Sequence, residues 1–518
     1  MEWGCAGMEN TAIIGDTFAS LSLPIPGMGP LIFAVSVAAL AGLLFGYDTG
    51  VASGIQGYLQ SYFHLTNAQL GFAIASLELG CVPGAMFAGT LADRFGRKKL
   101  LIVCAILFVA SGVLSAIPQS FTELILARFL GGLAIGASSM TAPVYIAKIA
   151  PDRYRGRMGS LFQLGIAIGI TLVYWVNYLI VRVGNQINPR DIPAGMIWNQ
   201  VMGWRWMLGS ESLPGIIFLL MLMAIPESPR WLVINSREEE GRSILTRLVG
   251  ARNADREIKA VMEMAGREKS RFSELFSPQF RLPLIIALFL AVFSQFSGIN
   301  SIIYYAPRVF EAAGMKTTNA LGFTALLGTA KLPAIFIGFA LVDKAGRKVL
   351  LAVGTAIQAV ALVGVAVMFA TAQPIATTKV VHGLTIHATV THFSQEQAWT
   401  LLAGMLIFCV AFTMAMGPIT WIIISEIFPT RIRGRAASVG VLTLWIAIFV
   451  VAQTFPMLKA DVGMAGTYLI YAGCSLISFL FVVLVLPETK GKTLEQIEAY
   501  WRHRDENKMF QKRERSVP

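Results

Sequence analysis

The sequence has 518 residues, of which 55% are hydrophobic and only 14% are charged. A soluble globular protein carries roughly 25% charged residues, so the composition excludes an ordinary soluble enzyme, a fibrous protein and a disordered chain. The 42 Lys and Arg residues exceed the 30 Asp and Glu residues, which gives a formal net charge of +12. Such an excess fits either nucleic acid or a charged membrane surface, and the positions of the charges decide between them.

The hydrophobic residues form twelve runs of about 20 residues, the length that a helix needs to cross a bilayer. The first six runs cover 31–57, 70–91, 100–117, 122–147, 158–182 and 208–225. The second six cover 283–306, 320–342, 349–372, 398–424, 436–456 and 466–486. The predicted fold class is therefore an all-α membrane protein with twelve transmembrane helices. Its predicted parts are a tail 1–30, a six-helix bundle 31–226, a linker of short amphipathic helices 227–280, a second six-helix bundle 281–487 and a tail 488–518.

Most basic residues fall on one side of these predicted spans. Of the 42 Lys and Arg residues, 33 lie in the loops after every second span, in the linker and in the C-terminal tail. Because cationic loops stay in the cytoplasm during insertion, the linker and both termini are predicted to be cytoplasmic. The chain is thus predicted to be a multi-pass protein of a plasma or bacterial inner membrane. The lipid bilayer, rather than nucleic acid, is its expected partner.

No pattern in the sequence indicates catalysis, a metal site or a cofactor. The five cysteines are too few for a disulfide scaffold, and no nucleophile–base pair or phosphate-binding loop is present. The predicted extracellular segment 380–397 contains histidines at five-residue spacing, which does not suit a metal site and favours a solvated loop. The chain is therefore predicted not to be an enzyme and to need neither metal nor cofactor.

Three motifs occur once in each half of the chain, in the same order. The pairs are DRFGRK at 93–98 with DKAGRK at 343–348, APDRYRGR at 150–157 with FPTRIRGR at 428–435, and PESPR at 226–230 with PETKG at 487–491. Two parallel repeats of six helices place a transport pathway on the axis between them.

With these motifs the sequence closely resembles the sugar porter family of the major facilitator superfamily, from about Leu31 to Thr493. That family includes bacterial xylose and galactose proton symporters and animal facilitative glucose transporters. The resemblance implies the major facilitator fold and a carrier whose two bundles rock around one central sugar site. It makes a hexose or pentose and protons the expected partners, with a monomer as the working unit.

Two charged residues lie at similar depths in the predicted spans. Asp48 is about ten residues inside span one, roughly 15 Å at 1.5 Å per residue, and Arg128 is about seven residues inside span four. Unpaired charges at such depths cost at least ~2.5 kcal/mol, so the two are predicted to pair, and protonation of the carboxylate would release the guanidinium. By resemblance, Asp48 matches the acid of proton-coupled members and Glu211 an acid beside it. The alternative is a permanently ionised pair that only fixes helix packing.

Glu78 in span two is a further intramembrane acid, and it has no family counterpart that we can name. The favoured interpretation is a residue at the rim of the membrane, facing water. The alternative is an additional titrating site.

A sugar site needs amides that both donate and accept hydrogen bonds, and aromatic faces for the C–H surface. By resemblance, the sugar-binding positions are Gln163, Gln295, Asn300, Trp421 and Trp445, with Phe45 as a third aromatic wall. The alternative for each amide is a hydrogen bond that only joins neighbouring helices.

Tyr304 and Tyr305 lie between Gly298 and Pro307 in span seven. Bulky aromatics on a helix interrupted by Gly and Pro suit an extracellular gate. The alternative is a pair of interfacial anchors.

Lys331 occupies the position where sugar porters commonly have a sugar-binding asparagine. A cation near the bilayer centre is expensive and indicates a functional site. Three interpretations compete: the ammonium binds the carboxylate of an acidic sugar, it donates to a neutral sugar while an unidentified acid balances its charge, or it is buried uncharged. A neutral monosaccharide is favoured over an acidic one, because most of the other sugar contacts are retained.

A cytoplasmic gate is also implied by the resemblance. Its predicted members are Asp93, Arg97, Arg155, Glu227, Arg230, Asp343, Arg347, Glu426 and Arg433. Lys148 stands where the family usually has an acid of this network, which predicts a weaker inner gate and more inward-open molecules. The alternative is that these charges are only topology signals.

The predicted function is a proton-coupled monosaccharide symporter that works by alternating access. The other candidates are a transporter of an acidic sugar that uses Lys331, a facilitative sugar uniporter, and a sugar receptor that does not transport.

Overall fold

The structure is a computed structural model of the chain. The residues that it describes are 28–151, 154–187, 197–250, 254–256, 258–259, 261–262, 272–372, 374–381, 384–391, 393–428, 432–488, 490 and 496. In this part of the chain, twelve helices are long and apolar enough to cross a membrane. The prediction of an all-α protein with twelve spans is confirmed.

The first six spans are mostly single helices. They are α1 Met28–Tyr62, α2 Asn67–Phe95, α3 Arg97–Ala116, α4 Phe121–Ile149, α5 Arg155–Gly184, and a sixth span built from a π-helical turn Asn199–Gly203, α6 Trp204–Gly209 and α7 Ser212–Ala224. The linker that follows contains α8 Pro229–Ile234, α9 Glu238–Val249 and the 3-10 turns Phe272–Phe276 and Pro278–Phe280.

The second six spans include three broken helices. They are α10 Arg281–Phe296 with α11 Ile299–Ala312, α12 Thr317–Ala330 with α13 Leu332–Ala345, α14 Arg347–Thr371, α15 Gln395–Met414 with α16 Met416–Glu426, α17 Arg433–Asp461, and α18 Gly463–Leu484. Span seven breaks at Gly298, whose φ of +87° is a left-handed conformation that glycine adopts without a steric cost. Span eight breaks at Lys331 and span ten at Ala415, two residues before the Gly417-Pro418 pair.

An antiparallel hairpin joins spans nine and ten and is an addition to the all-helical prediction. Its strands are β1 Pro374–Val381 and β2 Leu384–Thr391. Within the segment 380–397, predicted to be a solvated loop, 380–381 lie in β1, 384–391 in β2 and 395–397 in the helix of span ten, so the prediction of a loop was wrong for these parts. Both strands are rich in Thr, Val and Ile, whose β-branched side chains favour extended backbone. We call this end of the bundles the hairpin side and the opposite end, where α8 and α9 lie, the linker side.

Glycines let two pairs of helices in the first bundle approach closely. A Cβ added to Gly46 of α1 would lie 2.0 Å from the carbonyl oxygen of Ile166 in α5, and one added to Gly132 of α4 would lie 1.9 Å from that of Leu77 in α2. These distances leave no room for a side chain, so α1 is fixed against α5 and α2 against α4. The candidate site residues on these helices are held by this packing.

We expect Gly46→Ala to destabilise the protein, because its methyl group must push two helix backbones apart. Overpacking of this kind costs about 1–3 kcal/mol, which should lower the unfolding temperature of the purified protein in detergent. Gly89→Ala in α2 is the matched control, because a Cβ there meets nothing within 4 Å. Equal unfolding temperatures for the two variants would contradict the close packing of α1 on α5.

Candidate functional site

The predicted pair of Asp48 and Arg128 is in contact inside the first bundle. Nη1 of Arg128 donates a hydrogen bond to Oδ1 of Asp48, which joins α4 to α1. The side chain of Asp48 is fully buried and that of Arg128 is 2% exposed. Glu211, between α6 and α7, is equally buried and its carboxyl lies within hydrogen-bonding range of Asp48. The three residues predicted for proton coupling therefore form one cluster.

Glu78 is buried, so its predicted position at a water-facing rim was wrong. Its side chain is 1% exposed, and its Oε1 accepts a hydrogen bond of 2.5 Å from the hydroxyl of Tyr304. The residue also lies within electrostatic range of Asp48 and Arg128. The depth of Glu78 could be counted along its span, but the direction of its side chain depends on how α2 is rotated about its axis.

One cation thus faces three carboxyl groups in this region. Arg128 interacts electrostatically with Asp48, Glu211 and Glu78, and its Nε and Nη2 have no hydrogen-bond partner among the described residues. A single guanidinium cannot neutralise three carboxylates in a medium of low dielectric constant. Protonation of one or more of these carboxyls would balance the excess negative charge.

The two predicted sugar-binding amides of span seven contact each other across the break in that span. Nδ2 of Asn300 in α11 donates to Oε1 of Gln295 in α10 at 2.6 Å, and Nε2 of Gln295 donates to the hydroxyl of Ser294 at 2.9 Å. The contact orients both amides and also joins the two halves of the broken helix. It does not connect separate spans, as the alternative interpretation would require.

The predicted aromatic walls include a contact between the two bundles. The rings of Phe45 in α1 and Trp445 in α17 have centroids 5.3 Å apart. Trp445 is buried, and its indole N–H has no partner among the described residues, so it can donate to a ligand. Trp421 in α16 and Gln163 in α5 are half-buried.

Lys331 lies at the break between α12 and α13 and is 6% exposed. The thiol of Cys409 in α15 lies within electrostatic range of its ammonium group. No carboxylate of the described residues pairs with the ammonium group of Lys331, so within this part of the structure its charge is not balanced.

The two gate tyrosines have different partners. Tyr304 reaches the first bundle: its hydroxyl donates to Glu78, and its carbonyl accepts from Nε2 of Gln56 in α1. Tyr305 stays within the second bundle, where its hydroxyl donates to the carbonyl of Ala452 at 2.9 Å. Both tyrosines are 2% exposed. This burial rules out the alternative of interfacial anchors.

Further hydrogen bonds join the two bundles toward the hairpin side. Tyr174 in α5 donates to the carbonyl of Ile303 at 2.8 Å, and Arg308 in α11 donates to Oε1 of Gln60 at 2.9 Å. A cavity of about 140 Å³ lies beside these contacts, and the only predicted site residue among its lining residues is Tyr305. The bundles are therefore in contact around the two tyrosines on this side.

On the linker side, the repeated motifs build the same arrangement in each half. Gly96 and Gly346 both have positive φ, at +97° and +92°. Glu227 accepts from the backbone N–H groups of Arg97 and Lys98 at 3.0 and 3.1 Å. In the second half, Glu488 accepts from the N–H groups of Arg347 and Lys348, both at 3.1 Å. Each acid binds the positive N-terminus of a helix, an interaction that the helix dipole favours.

Glu488 was not among the predicted gate residues, although the repeat pointed to it as the counterpart of Glu227. Other predicted members also form pairs: Asp93 with Arg97 at 2.5 Å, and Arg347 with Glu426 at 3.3 Å. Arg230 is half-buried. Three further predicted gate residues have side chains outside the described part of the structure, so their place in the gate stays a prediction. They are Arg155, Asp343 and Arg433.

Lys148, at the end of α4, lies within electrostatic range of Arg97, Arg230 and Asp93. Two of these neighbours are cations, so the lysine adds repulsion where the family pattern has an acid. The predicted weakening of this gate stays a prediction.

Comparison with known proteins gives the chain relatives of nearly its full length. Residues 34–501 match the family described as Sugar (and other) transporter. The arabinose-proton symporter of Bacillus subtilis is 37% identical, with 92% of this chain and 96% of that protein covered. The D-xylose-proton symporter of Escherichia coli strain K12 is 35% identical, with 91% and 96% covered.

Solved structures agree with this assignment. The partially occluded inward-open structure of the xylose transporter XylE from E. coli matches with a TM-score of 0.75 and 32% identity, over 90% of this chain and 100% of that one. The inward-open structure of the same transporter gives a TM-score of 0.74 and 33% identity, over 91% and 100%. The fold, the repeated motifs and these matches place the chain in one family: it belongs to the sugar transporters of the major facilitator superfamily.

Proposed function

We propose that the chain is a proton-coupled symporter of a neutral monosaccharide, a hexose or a pentose. The observation that carries the proposal is the buried contact of Arg128 with Asp48, beside the carboxyl of Glu211. Proton transfer to one carboxyl changes the charge of this cluster. A uniporter needs no site whose charge changes in this way. Relatives named as arabinose-, D-xylose- and galactose-proton symporters support both the sugar and the proton.

The position of Asp48 on α1 supplies a route from the proton to the sugar. Phe45 lies three residues earlier, so its side chain is on the same face of the helix, one turn away. Phe45 packs on Trp445 of the second bundle. When a proton weakens the hold of Asp48 on Arg128, α1 is freed from α4 and shifts with α5, and this shift moves the aromatic wall of the site.

The proposed cycle opens the central site to one side at a time. The gates are Tyr304 and Tyr305 on the hairpin side and the charged network on the linker side. The positive-inside rule makes the linker side, with both termini, cytoplasmic. We place the protein in the plasma or bacterial inner membrane, divided into two bundles at 31–226 and 281–487 with the linker 227–280, and working as a monomer without catalytic activity.

Lys331 favours one second candidate, a transporter of acidic sugars. The observation is a buried lysine for which the described residues provide no carboxylate. The carboxylate of a uronate-like sugar would neutralise it during transport. The neutral sugar remains the first proposal because Gln295, Asn300 and Trp445 offer contacts that suit hydroxyl groups.

Transport by the purified protein in proteoliposomes tests these proposals. When the outside is more acidic than the inside, we expect a radiolabelled neutral pentose or hexose to accumulate above its equilibrium concentration. When the proton gradient is collapsed, we expect uptake to level off at equal concentrations inside and outside. Accumulation that is independent of the gradient would contradict proton coupling. Uptake of uronates but not of neutral sugars would favour the second candidate.

A further inference from the structure

Glu78 and Tyr304 form a contact that the proposed transport mechanism does not use. Glu78 lies in α2 of the first bundle, about eleven residues or roughly 16 Å from the helix end on the hairpin side. Tyr304 lies in α11 of the second bundle. Their hydrogen bond of 2.5 Å therefore crosses the boundary that must open when the hairpin side opens.

The carboxyl group is only half satisfied by this contact. Oε1 accepts from the tyrosine hydroxyl, whereas Oε2 is buried and has no partner among the described residues. An unpartnered, ionised oxygen in an apolar interior is costly, and a neutral carboxyl costs much less to bury. The arrangement is thus suited to a carboxyl with its proton on Oε2 and the tyrosine bound to Oε1.

The charged neighbours of Glu78 are one acid and one base. Asp48 of α1 and Arg128 of α4 are its charged neighbours, and Tyr304, Tyr305 and Cys81 are the other ionisable groups within range. α17, which also packs on α2, places the amide of Gln453 on the carbonyl of Ala68, ten residues before Glu78. Arg128 is already bound to Asp48, so Glu78 has no cation of its own among the described residues.

We propose that Glu78 and Tyr304 form a proton-operated latch on the hairpin side, in which the protonated carboxyl holds the two bundles together. When the gate opens, α11 moves away and water reaches the carboxyl, which then releases its proton to that water. Because the closed gate holds the proton and the open gate releases it, acidification on the hairpin side shifts the population toward the closed gate.

This latch differs from the coupling site in its consequence. Its proton enters and leaves on the same side of the membrane, so it changes the conformational equilibrium without changing how many protons are carried with each sugar. The inference rests on the opening and closing of the bundles, but not on proton transfer through Asp48. Gln56 supports the geometry independently, because it ties the backbone of Tyr304 to α1.

The latch can be tested by measuring the distance between nitroxide labels at Ser61 and Asn319. Both residues are exposed on the hairpin side, one in each bundle. In the labelled protein without further changes, we expect the population with a short distance between the two labels to grow as the pH falls from neutral to acid. In Glu78→Gln the amide still accepts from Tyr304 but cannot titrate, so the short distance should dominate at every pH.

Tyr304→Phe is the second variant, since it removes the donor and leaves the acid. The long distance should gain population at every pH. Glu311→Gln in α11 is the matched control: this acid pairs with Arg308 at 3.4 Å near the same gate, and its removal should leave the pH response unchanged. An unaltered pH response in Glu78→Gln, or an unaltered population in Tyr304→Phe, overturns the latch. Failure of Asp48→Asn to alter transport would instead concern only the proposed function.

Discussion

Asp48→Asn is expected to abolish accumulation of sugar against its gradient while sugar exchange across the membrane continues. The asparagine still accepts a hydrogen bond from Arg128 but cannot change its charge, so the cluster no longer responds to a proton. In proteoliposomes with an acidic exterior, uptake of labelled sugar by the variant should level off at equal concentrations inside and outside. Counterflow against unlabelled sugar, which needs no proton gradient, shows whether the carrier is still folded and cycling.

The matched control for this prediction is Asp461→Asn. Asp461 is an exposed acid at the end of α17 in the second bundle, whereas the cluster lies in the first bundle, so its loss should leave accumulation as in the wild type. If Asp48→Asn still concentrates sugar, the ion pair of Asp48 and Arg128 only fixes the packing of α1 on α4. The proton site would then have to be sought elsewhere among the buried carboxyls.

The contact of Asp48 with Arg128 could be predicted because physics restricts buried charges strongly. Two opposite charges at the same depth in a bilayer must either pair or pay several kcal/mol each. The depth of each residue follows from counting residues along its span. The twelve spans were predictable for a similar reason, because every run had to be long enough to cross the hydrocarbon layer.

The rotation of a helix about its axis could not be read in the same way. Glu78 is 1% exposed and the adjacent Leu79 is 40% exposed, so a turn of about 100° separates a buried acid from an outward-facing residue. Spans that are apolar on all faces carry no periodic pattern from which this rotation could be inferred. The bond from Tyr304 to Glu78 depends on it and was therefore missed.

Three other features had a signal in the sequence from which they could have been predicted. Glu488 stands at the position of Glu227 in the repeat, and both acids bind the start of a helix after a glycine with positive φ. The hairpin between spans nine and ten was marked by its β-branched residues. The break of span eight at Lys331 had the weaker signal of Pro333, which is tolerated in the first turn of a new helix.

Lys331→Asn is expected to shift the substrate preference of the carrier toward neutral sugars. An amide both donates and accepts, so it suits a hydroxyl better than an ammonium group does, and it cannot neutralise a carboxylate. A hydrogen bond to a charged group contributes about 1.5–3 kcal/mol, so the preference for neutral over acidic sugars should rise by roughly ten- to a hundredfold. Competition of unlabelled neutral sugars and uronates for labelled uptake measures this ratio directly.

The control is Lys316→Asn, at the other end of the same helix. Lys316 precedes α12 on the hairpin side and is exposed, so its replacement changes the net charge equally without touching the break in span eight. An equal shift in both variants would trace the effect to overall charge. Unchanged selectivity in Lys331→Asn would remove this lysine from the sugar site and leave its burial as a matter of helix packing at the break between α12 and α13.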